Sequence, residues 1–532
     1  MRRSESRGSP PDSQSGEQIL DRADWPWLLG LFVLGCLTLT TFALTAFSLV
    51  DTVGAGPSLS RGVPLDDAWI HFQFARNVAR GDGFAFNPGD PTAGSTAPLW
   101  TILLAAVYAL GGPFPLAGQL LSAACFLLVL GATYALTKRL AGRRWTAWLA
   151  GAVVAVNGRL VWAGLSALET CLFAALTLIA ITAHLSHRKG GHYRLRTAAL
   201  FGLAALARPE GYLLFALALA DWVLPALASS SPVSSLVTRA SRLLPAAAVF
   251  AVLVLPYLLF SLRTAGHLLP NTFSAKASFN FQPDLTFLSL AARYLILDNP
   301  LLLPFVVLGA TVLLGRARLL SAWTVGLPLV YAFLHAILYQ HGRYLIPLIP
   351  FNAVAGVVGL LEARKLAHRR GWRWSGSERL LVVMVILLAL AGTAWRLPTM
   401  ARQFAWNVDN INQMHVGIGQ WARENTPSEA VLALNDIGAI TYVSRREVVD
   451  LAGLVTPEVI PILRAPGGSA RLIEFMAGRG VDYVIIFPNW FPGLAQRDDR
   501  LTPVHQVTVA RRTITGGPTM VVYRTAWDAE TQ

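Results

Sequence analysis

Two adjacent carboxylates, Asp66 and Asp67, head the segment Ala68-Trp69-Ile70-His71-Phe72-Gln73-Phe74-Ala75-Arg76-Asn77-Val78-Ala79-Arg80-Gly81. A carboxylate held beside a second one in a partly dry cleft has its pKa raised and becomes a better base. Such a base removes the proton from a hydroxyl as it attacks. Ile70, Phe74 and Val78 recur at every fourth position, which predicts a helix with one apolar stripe. Its other side carries His71, Gln73 and Arg80, as expected of a helix lying along a membrane surface. The pair also has a purely structural reading. Asp66 would be the N-cap and Asp67 a first-turn anion facing the helix dipole. Both readings can hold at once.

Other ionisable groups sit where they are costly. Glu169, in Ser166-Ala167-Leu168-Glu169-Thr170, opens an apolar run, and Arg208-Pro209-Glu210-Gly211 places a cation and an anion at a helix break. Ionisable groups at membrane depth default to functional candidates. The alternative is a brace, Arg208 with Glu169 or Glu210. Asn271 and Lys276 belong to Pro270-Asn271-Thr272-Phe273-Ser274-Ala275-Lys276, and Gln340-His341-Gly342-Arg343-Tyr344 caps another apolar run. Lys276, a mobile point charge, and Arg343, a bidentate fork, are candidates to hold a phosphate, with His341 beside them. Gly342 permits close approach to a ligand. Snorkelling to lipid headgroups is the alternative for either cation. Asn435-Asp436-Ile437-Gly438-Ala439 and Val449-Asp450-Leu451-Ala452-Gly453-Leu454 read as turn chemistry at strand ends, with contact to the rest of the protein as the alternative.

The elements that must position these groups are mostly membrane helices. The 532 residues are 54% hydrophobic and 14% charged, against roughly a quarter charged in a soluble protein. Apolar runs recur from residue 27 to 396, and a helical span needs about 20 residues. About eleven spans are expected, at 27–49, 115–137, 145–163, 167–184, 195–207, 210–227, 243–262, 300–315, 319–339, 344–361 and 380–396. The net charge of +14 is concentrated in short loops such as 138–144, 185–196 and 362–379. That distribution is a topology signal rather than a nucleic-acid surface. It places residues 1–24, expected to be a disordered tail, in the cytoplasm. It requires 98–112 to be an interfacial helix, and it puts the loop 51–114 and every polar motif above on the external side. Residues 25–396 then form the membrane domain. Residues 397–532 form an extracytoplasmic α/β domain, with a membrane-proximal helix near 406–425, a helix at 469–478 and five short strands. Cys36, Cys125 and Cys171 all lie in apolar runs, where packing explains them, and no metal-ligand spacing exists. Two adjacent carboxylates could share a divalent metal ion, which the sequence does not require.

Eight segments occur in a fixed order: Leu65-Asp66-Asp67-Ala68-Trp69-Ile70, Phe86-Asn87-Pro88-Gly89, Ala167-Leu168-Glu169-Thr170, Arg208-Pro209-Glu210-Gly211, Pro270-Asn271-Thr272, Gly342-Arg343-Tyr344, Asp436-Ile437-Gly438-Ala439 and Asp450-Leu451-Ala452-Gly453-Leu454. Together they resemble the GT-C glycosyltransferase superfamily, and within it the bacterial terminal β-(1→2)-arabinofuranosyltransferase type. The resemblance runs from about residue 20 to 525. It implies a mainly α, polytopic plasma-membrane enzyme. Such an enzyme uses a polyprenyl-phosphate sugar donor and a cell-envelope glycan or lipid acceptor on the external face. It also implies a base or acceptor-positioning role for Asp66, extending to Asp67, and a donor-phosphate role for Lys276 and Arg343. Glu169, Arg208, Glu210, Asn271 and Tyr344 would line the substrate cavity.

Two other classes remain open on the residues alone. A transporter or flippase would explain the intramembrane ions, although no inverted halves are found. An assembly protein whose external domain binds a partner is the other.

Overall fold

The structure is a computed structural model. It describes residues 19–52, 62–187, 193–227, 232–268, 270–271, 280–336, 338, 340–371, 378–465, 467–496 and 499–527. Lys276 and most of the expected N-terminal tail lie outside these ranges. The end of the tail is ordered. Arg22–Asp24 is a 3-10 turn, and buried Asp24 accepts the Tyr134 hydroxyl at 2.8 Å and pairs with Arg144 at 3.2 Å. A carboxylate with that many donors can leave water, so the tail is pinned to the helix Leu116–Ala141.

Among the described residues, five helical runs are long and apolar enough to cross a membrane: Arg22–Ser48, Leu116–Ala141, Leu244–Ala265, Gln340–Arg369 and Val383–Asn425. In the last of these the apolar part is 383–394, the end of the helix Glu378–Ala394, and 397–425 is amphipathic. Two bent pairs raise the number to seven at most. Arg144–Ala155 meets Gly158–Gly164 at 71°, where Asn157 caps the second helix through Leu160 N–H at 3.1 Å. Leu285–Asp298 meets Leu303–Arg316 at 111°, where Asn299 accepts from Leu302 N–H. Several of the expected spans, at 167–184, 195–207 and 319–339, are helices of 18, 13 and 16 residues. The last two are shorter than the bilayer core asks of a straight span, and the first is at the lower limit. Length and composition therefore support five to seven of the eleven among the described residues. Helices Leu303–Arg316 and Ile349–Arg369 approach closely through small residues. A Cβ on Gly309 or Gly359 would run into the Ala355 or Phe305 carbonyl of the other helix.

The C-terminal region carries a five-stranded sheet in the order β2-β1-β3-β5-β4. Its strands are β1 (Val431–Leu434), β2 (Glu447–Asp450), β3 (Tyr483–Ile486), β4 (Leu501–Thr508) and β5 (Thr519–Thr525). β1 runs parallel to β2 and β3, while β5 is antiparallel to β3 and β4. Helices Gly438–Ser444 and Gly468–Gly478 make the crossovers. The β2 edge is covered from outside the domain. The Asn87 side chain donates to Val448 O at 2.9 Å and accepts Val448 N–H at 3.0 Å, supplying the pairing a further strand would supply.

The helix Asp66–Arg80 lies in the seam between the membrane helices and this sheet, and residues Ala68 to Asn77 are all buried. It is not the surface helix its polar face suggested. Part of that face finds partners in the C-terminal region and in the loop that follows the helix, while Arg80 stays exposed. Arg76 stacks on Tyr442 at 4.4 Å and donates to Tyr442 O, while Gln73 donates to Phe86 O. Ile70 and Phe74 join Met414, Ile418, Leu432 and Ile440 in one apolar cluster. Helix and sheet thus share a core.

Candidate active site

Asp66 and Asp67 begin the seam helix, yet their carboxylates go to different parts of the protein. The N-cap position of that helix is Leu65, which offers no side-chain oxygen. Asp66 caps a different helix. Its two oxygens accept Gly438 N–H at 2.8 Å and Ala439 N–H at 2.7 Å, at the start of Gly438–Ser444. Position 438 must be glycine, because a Cβ there would overlap the backbone oxygen of Asp66. Asp67 instead meets Arg343 Nη1 at 2.6 Å. One turn on, His71 Nε2 lies 3.6 Å from Glu169 Oε2. Asp67 and His71 are i and i+4 on one helix and share a face.

Glu169 precedes the helix Thr170–His187, and Arg208 separates Leu195–Ala207 from Glu210–Leu227. Arg208 bonds Glu169 at 3.0 Å and Glu210 at 2.6 Å, and Glu210 also accepts the Tyr331 hydroxyl. All five N–H donors of a guanidinium lie in one fixed fork; here that fork is shared between two acids. Arg208 and Arg343 flank the Tyr344 ring, 5.5 and 5.3 Å from its centre, with Tyr331 at 5.4 Å. Side-chain exposure separates these groups: 7% for Arg208, 11% for Glu169 and 12% for Glu210, against 25% for Asp67. Asp67 is the acid that an incoming molecule can reach most easily.

The turn before Arg343 is strained. Gln340, His341 and Gly342 have φ of 52°, 62° and 65°. For the two residues that carry a Cβ this costs about 1–3 kcal/mol each. Gly342 also has no room for a side chain, since a Cβ would meet the Tyr294 ring at 2.6 Å. Arg159 holds the turn. It donates to His341 O at 2.7 Å and Gly342 O at 2.9 Å, and it pairs with Asp298 at 2.7 Å. With the Asn407 amide oxygen turned inward, that oxygen accepts from His341 Nε2 at 3.0 Å and Trp162 Nε1 at 3.2 Å.

Behind Asp66, His415 Nε2 lies 2.9 Å from Asp436 Oδ2. Burial raises Asp66 to about 6, against the pull of His415 and with the help of Asp436. Burial pulls His415 down, but the bond to Asp436 and the two nearby carboxylates outweigh it, so its net shift is upward.

The structure therefore brings Asp67, Arg343, Tyr344, Glu169, Arg208 and Glu210 into one cluster. His341 faces away from it, toward Asn407 and Trp162. Asn271 is buried and donates to Leu454 O at 3.3 Å, which ties its loop to the C-terminal region. Asp450 does turn chemistry, accepting the N–H groups of Ala452, Leu454 and Val455. Asp66 and Asp67 diverge to separate partners, an arrangement that does not fit one metal ion shared between them. Sequence reasoning missed Tyr331, Arg159, Asp298 and the His415–Asp436 pair. Arg159 had a usable signal, as a lone cation inside the apolar run 145–163.

A family model described as a domain of unknown function, DUF8728, matches residues 407–523, which include His415, Asp436 and Gly438. No curated protein matches the chain. Among solved structures, ArnT from Cupriavidus metallidurans is similar in its apo state and bound to undecaprenyl phosphate. Each comparison gives a TM-score of 0.57 at 14% identity, covering 94% of this chain and 98% of ArnT. The Archaeoglobus fulgidus oligosaccharyltransferase, in complex with Zn and sulfate, gives 0.51 at 14% identity, over 92% of this chain and 75% of its own. The chain has the fold of the GT-C glycosyltransferases.

Proposed function

We propose that this multi-pass membrane protein transfers a sugar from a polyprenyl-phosphate donor to a cell-envelope glycan or glycolipid. The sugar is an arabinofuranose or another pentose or hexose, and the reaction runs on the external face of the plasma membrane. The observation that carries the reading is the Asp67–Arg343 pair at 2.6 Å, set among Glu169, Arg208, Glu210 and Tyr344 in a GT-C fold. The ArnT structure with undecaprenyl phosphate supports the donor class.

The division of labour follows from the hydrogen bonds. Asp66 has both oxygens on backbone N–H groups and seats the C-terminal region. Asp67 is the base. The acceptor hydroxyl attacks the anomeric carbon, and a new C–O bond forms as the bond to the phosphate oxygen breaks. The hydroxyl proton passes to Asp67, and the electron pair leaves with the polyprenyl phosphate, whose charge Arg343 meets. Lys276 is the second cation for that phosphate. An ion-paired carboxylate is a weaker proton acceptor than a free one. When the donor phosphate draws the Arg343 fork toward itself, Asp67 is left to the incoming hydroxyl.

The direct test supplies purified protein in lipid nanodiscs with synthetic polyprenyl-phosphate pentoses and hexoses and with envelope glycan acceptors. Glycosylated acceptor and free polyprenyl phosphate are expected in equal amounts from at least one donor. Folded protein that releases neither from any donor counts against the reading.

A further inference from the structure

We infer that Arg159, which lies outside the acid–base cluster, is a positioning residue that sets Arg343 for the donor phosphate. The inference rests on the role given to Arg343 above. Arg159 lies in the helix Gly158–Gly164, is 3% exposed and, among the described residues, directs its hydrogen bonds at the turn before Arg343 and at Asp298. Its Nε and Nη2 hold two successive carbonyls, His341 O and Gly342 O. Its Nη1 is anchored on Asp298, and its guanidinium lies 4.2 Å from the centre of the Tyr294 ring.

The held turn is the part of the chain that would otherwise relax. Gln340 and His341 carry side chains in the left-handed region, and Gly342 follows them there. Three such residues in a row point the next residue, Arg343, back toward Asp67. Without donors on both carbonyls the turn would return toward ordinary φ and swing the Arg343 fork away. Lysine cannot replace this clamp, because an ammonium is a point charge without the planar fork that reaches two carbonyls and a carboxylate together.

The test measures binding of undecaprenyl phosphate to the full chain in nanodiscs, with undecaprenol as the uncharged control. Arg343→Ala is expected to weaken the phosphate lipid about tenfold, the equivalent of one charge-assisted hydrogen bond. Arg159→Lys is expected to weaken it about fivefold by misplacing that bond, and to leave undecaprenol binding unchanged. The double variant should bind no more weakly than Arg343→Ala alone, since Arg159 acts through Arg343. Wild-type binding by Arg159→Lys, full additivity, or an equal loss for undecaprenol overturns the inference. Wild-type binding by Arg343→Ala instead overturns the phosphate role on which it rests. Where Arg159→Lys yields no folded protein, Asp298→Asn takes its place. It keeps the clamp but loosens its anchor, so a two- to threefold loss, about 0.5 kcal/mol, is expected only when Arg343 is present. Unchanged or additive binding overturns the inference there too.

Discussion

The carboxylate of Asp66 accepts the backbone N–H of Gly438 at 2.8 Å, across 372 positions of sequence. A residue of the first long loop thus caps a helix of the C-terminal region, and the two parts are built as one unit. A negative charge is favoured at a helix N-terminus, where backbone N–H groups have no partner within the helix. The close approach works only because residue 438 has no Cβ.

Gly438→Ala should therefore loosen the seam. Overpacking of this kind costs about 1–3 kcal/mol. The expected outcome is a lower thermal midpoint in detergent and faster proteolysis between the membrane helices and β1. Asp66→Ala should do the same by removing the cap. Neither should abolish sugar transfer in the protein that stays folded.

The seam should also respond to pH. Asp66 titrates at about 6 in the folded chain and near 3.9 when unfolded. Between these values the folded state binds more protons, so stability falls as pH rises through that window. His415 is raised above its usual value. Its contribution is whole below about 6.5 and is lost as pH rises through the folded value. The thermal midpoint should decline from about pH 4 to about pH 6 through Asp66, and further as pH rises above about 6.5 through His415. Asp66→Asn should flatten the lower part of the curve and His415→Gln the upper. A profile that these two variants leave unchanged would contradict the assignment.

Arg208 is a brace on this account rather than a phosphate ligand, because its fork is already shared between Glu169 and Glu210. Arg208→Ala leaves two buried carboxylates without their cation. Breaking a buried pair in this way costs about 3–5 kcal/mol. The expected result is a large loss of folded protein, read by size-exclusion profile and thermal midpoint. Tyr331→Phe removes one hydrogen bond to a charged group and should cost about 1.5–3 kcal/mol.

Arg343→Lys keeps the charge and loses the fork. Donor KM should rise about tenfold with a smaller change in kcat. A change confined to kcat would place Arg343 at the transition state alone.

Much of the fold was legible because it depends on local periodicity. The apolar stripe Ile70, Phe74, Val78 gives a helix, and the short apolar runs at 431–435, 447–451 and 483–487 give β1, β2 and β3. The span count was less legible. Hydropathy marks apolar helices whether or not they are long enough to cross. Asn157 caps a break inside the expected span 145–163, and Asn299 caps a break between the span expected at 300–315 and a helix, Leu285–Asp298, that lies outside the expected spans. Ionisable residues in apolar surroundings pointed to Glu169, Arg208 and Glu210. The separate partners of Asp66 and Asp67 were not legible, since both lie hundreds of positions away. Local sequence could show an N-cap residue, but not that the helix it caps belongs to another part of the chain. The buried polar face of the seam helix misled for the same reason. His71 and Gln73 look solvated until Glu169 and Phe86 are brought against them.

The most direct measurement is single-turnover release of polyprenyl phosphate by wild type, Asp67→Asn and Asp66→Asn, each with the same synthetic donor and acceptor. Loss of a general base slows transfer by about 10²–10⁴-fold. The account predicts that loss for Asp67→Asn and less than about tenfold for Asp66→Asn in folded protein. Asp67→Asn turning over at the wild-type rate would contradict it.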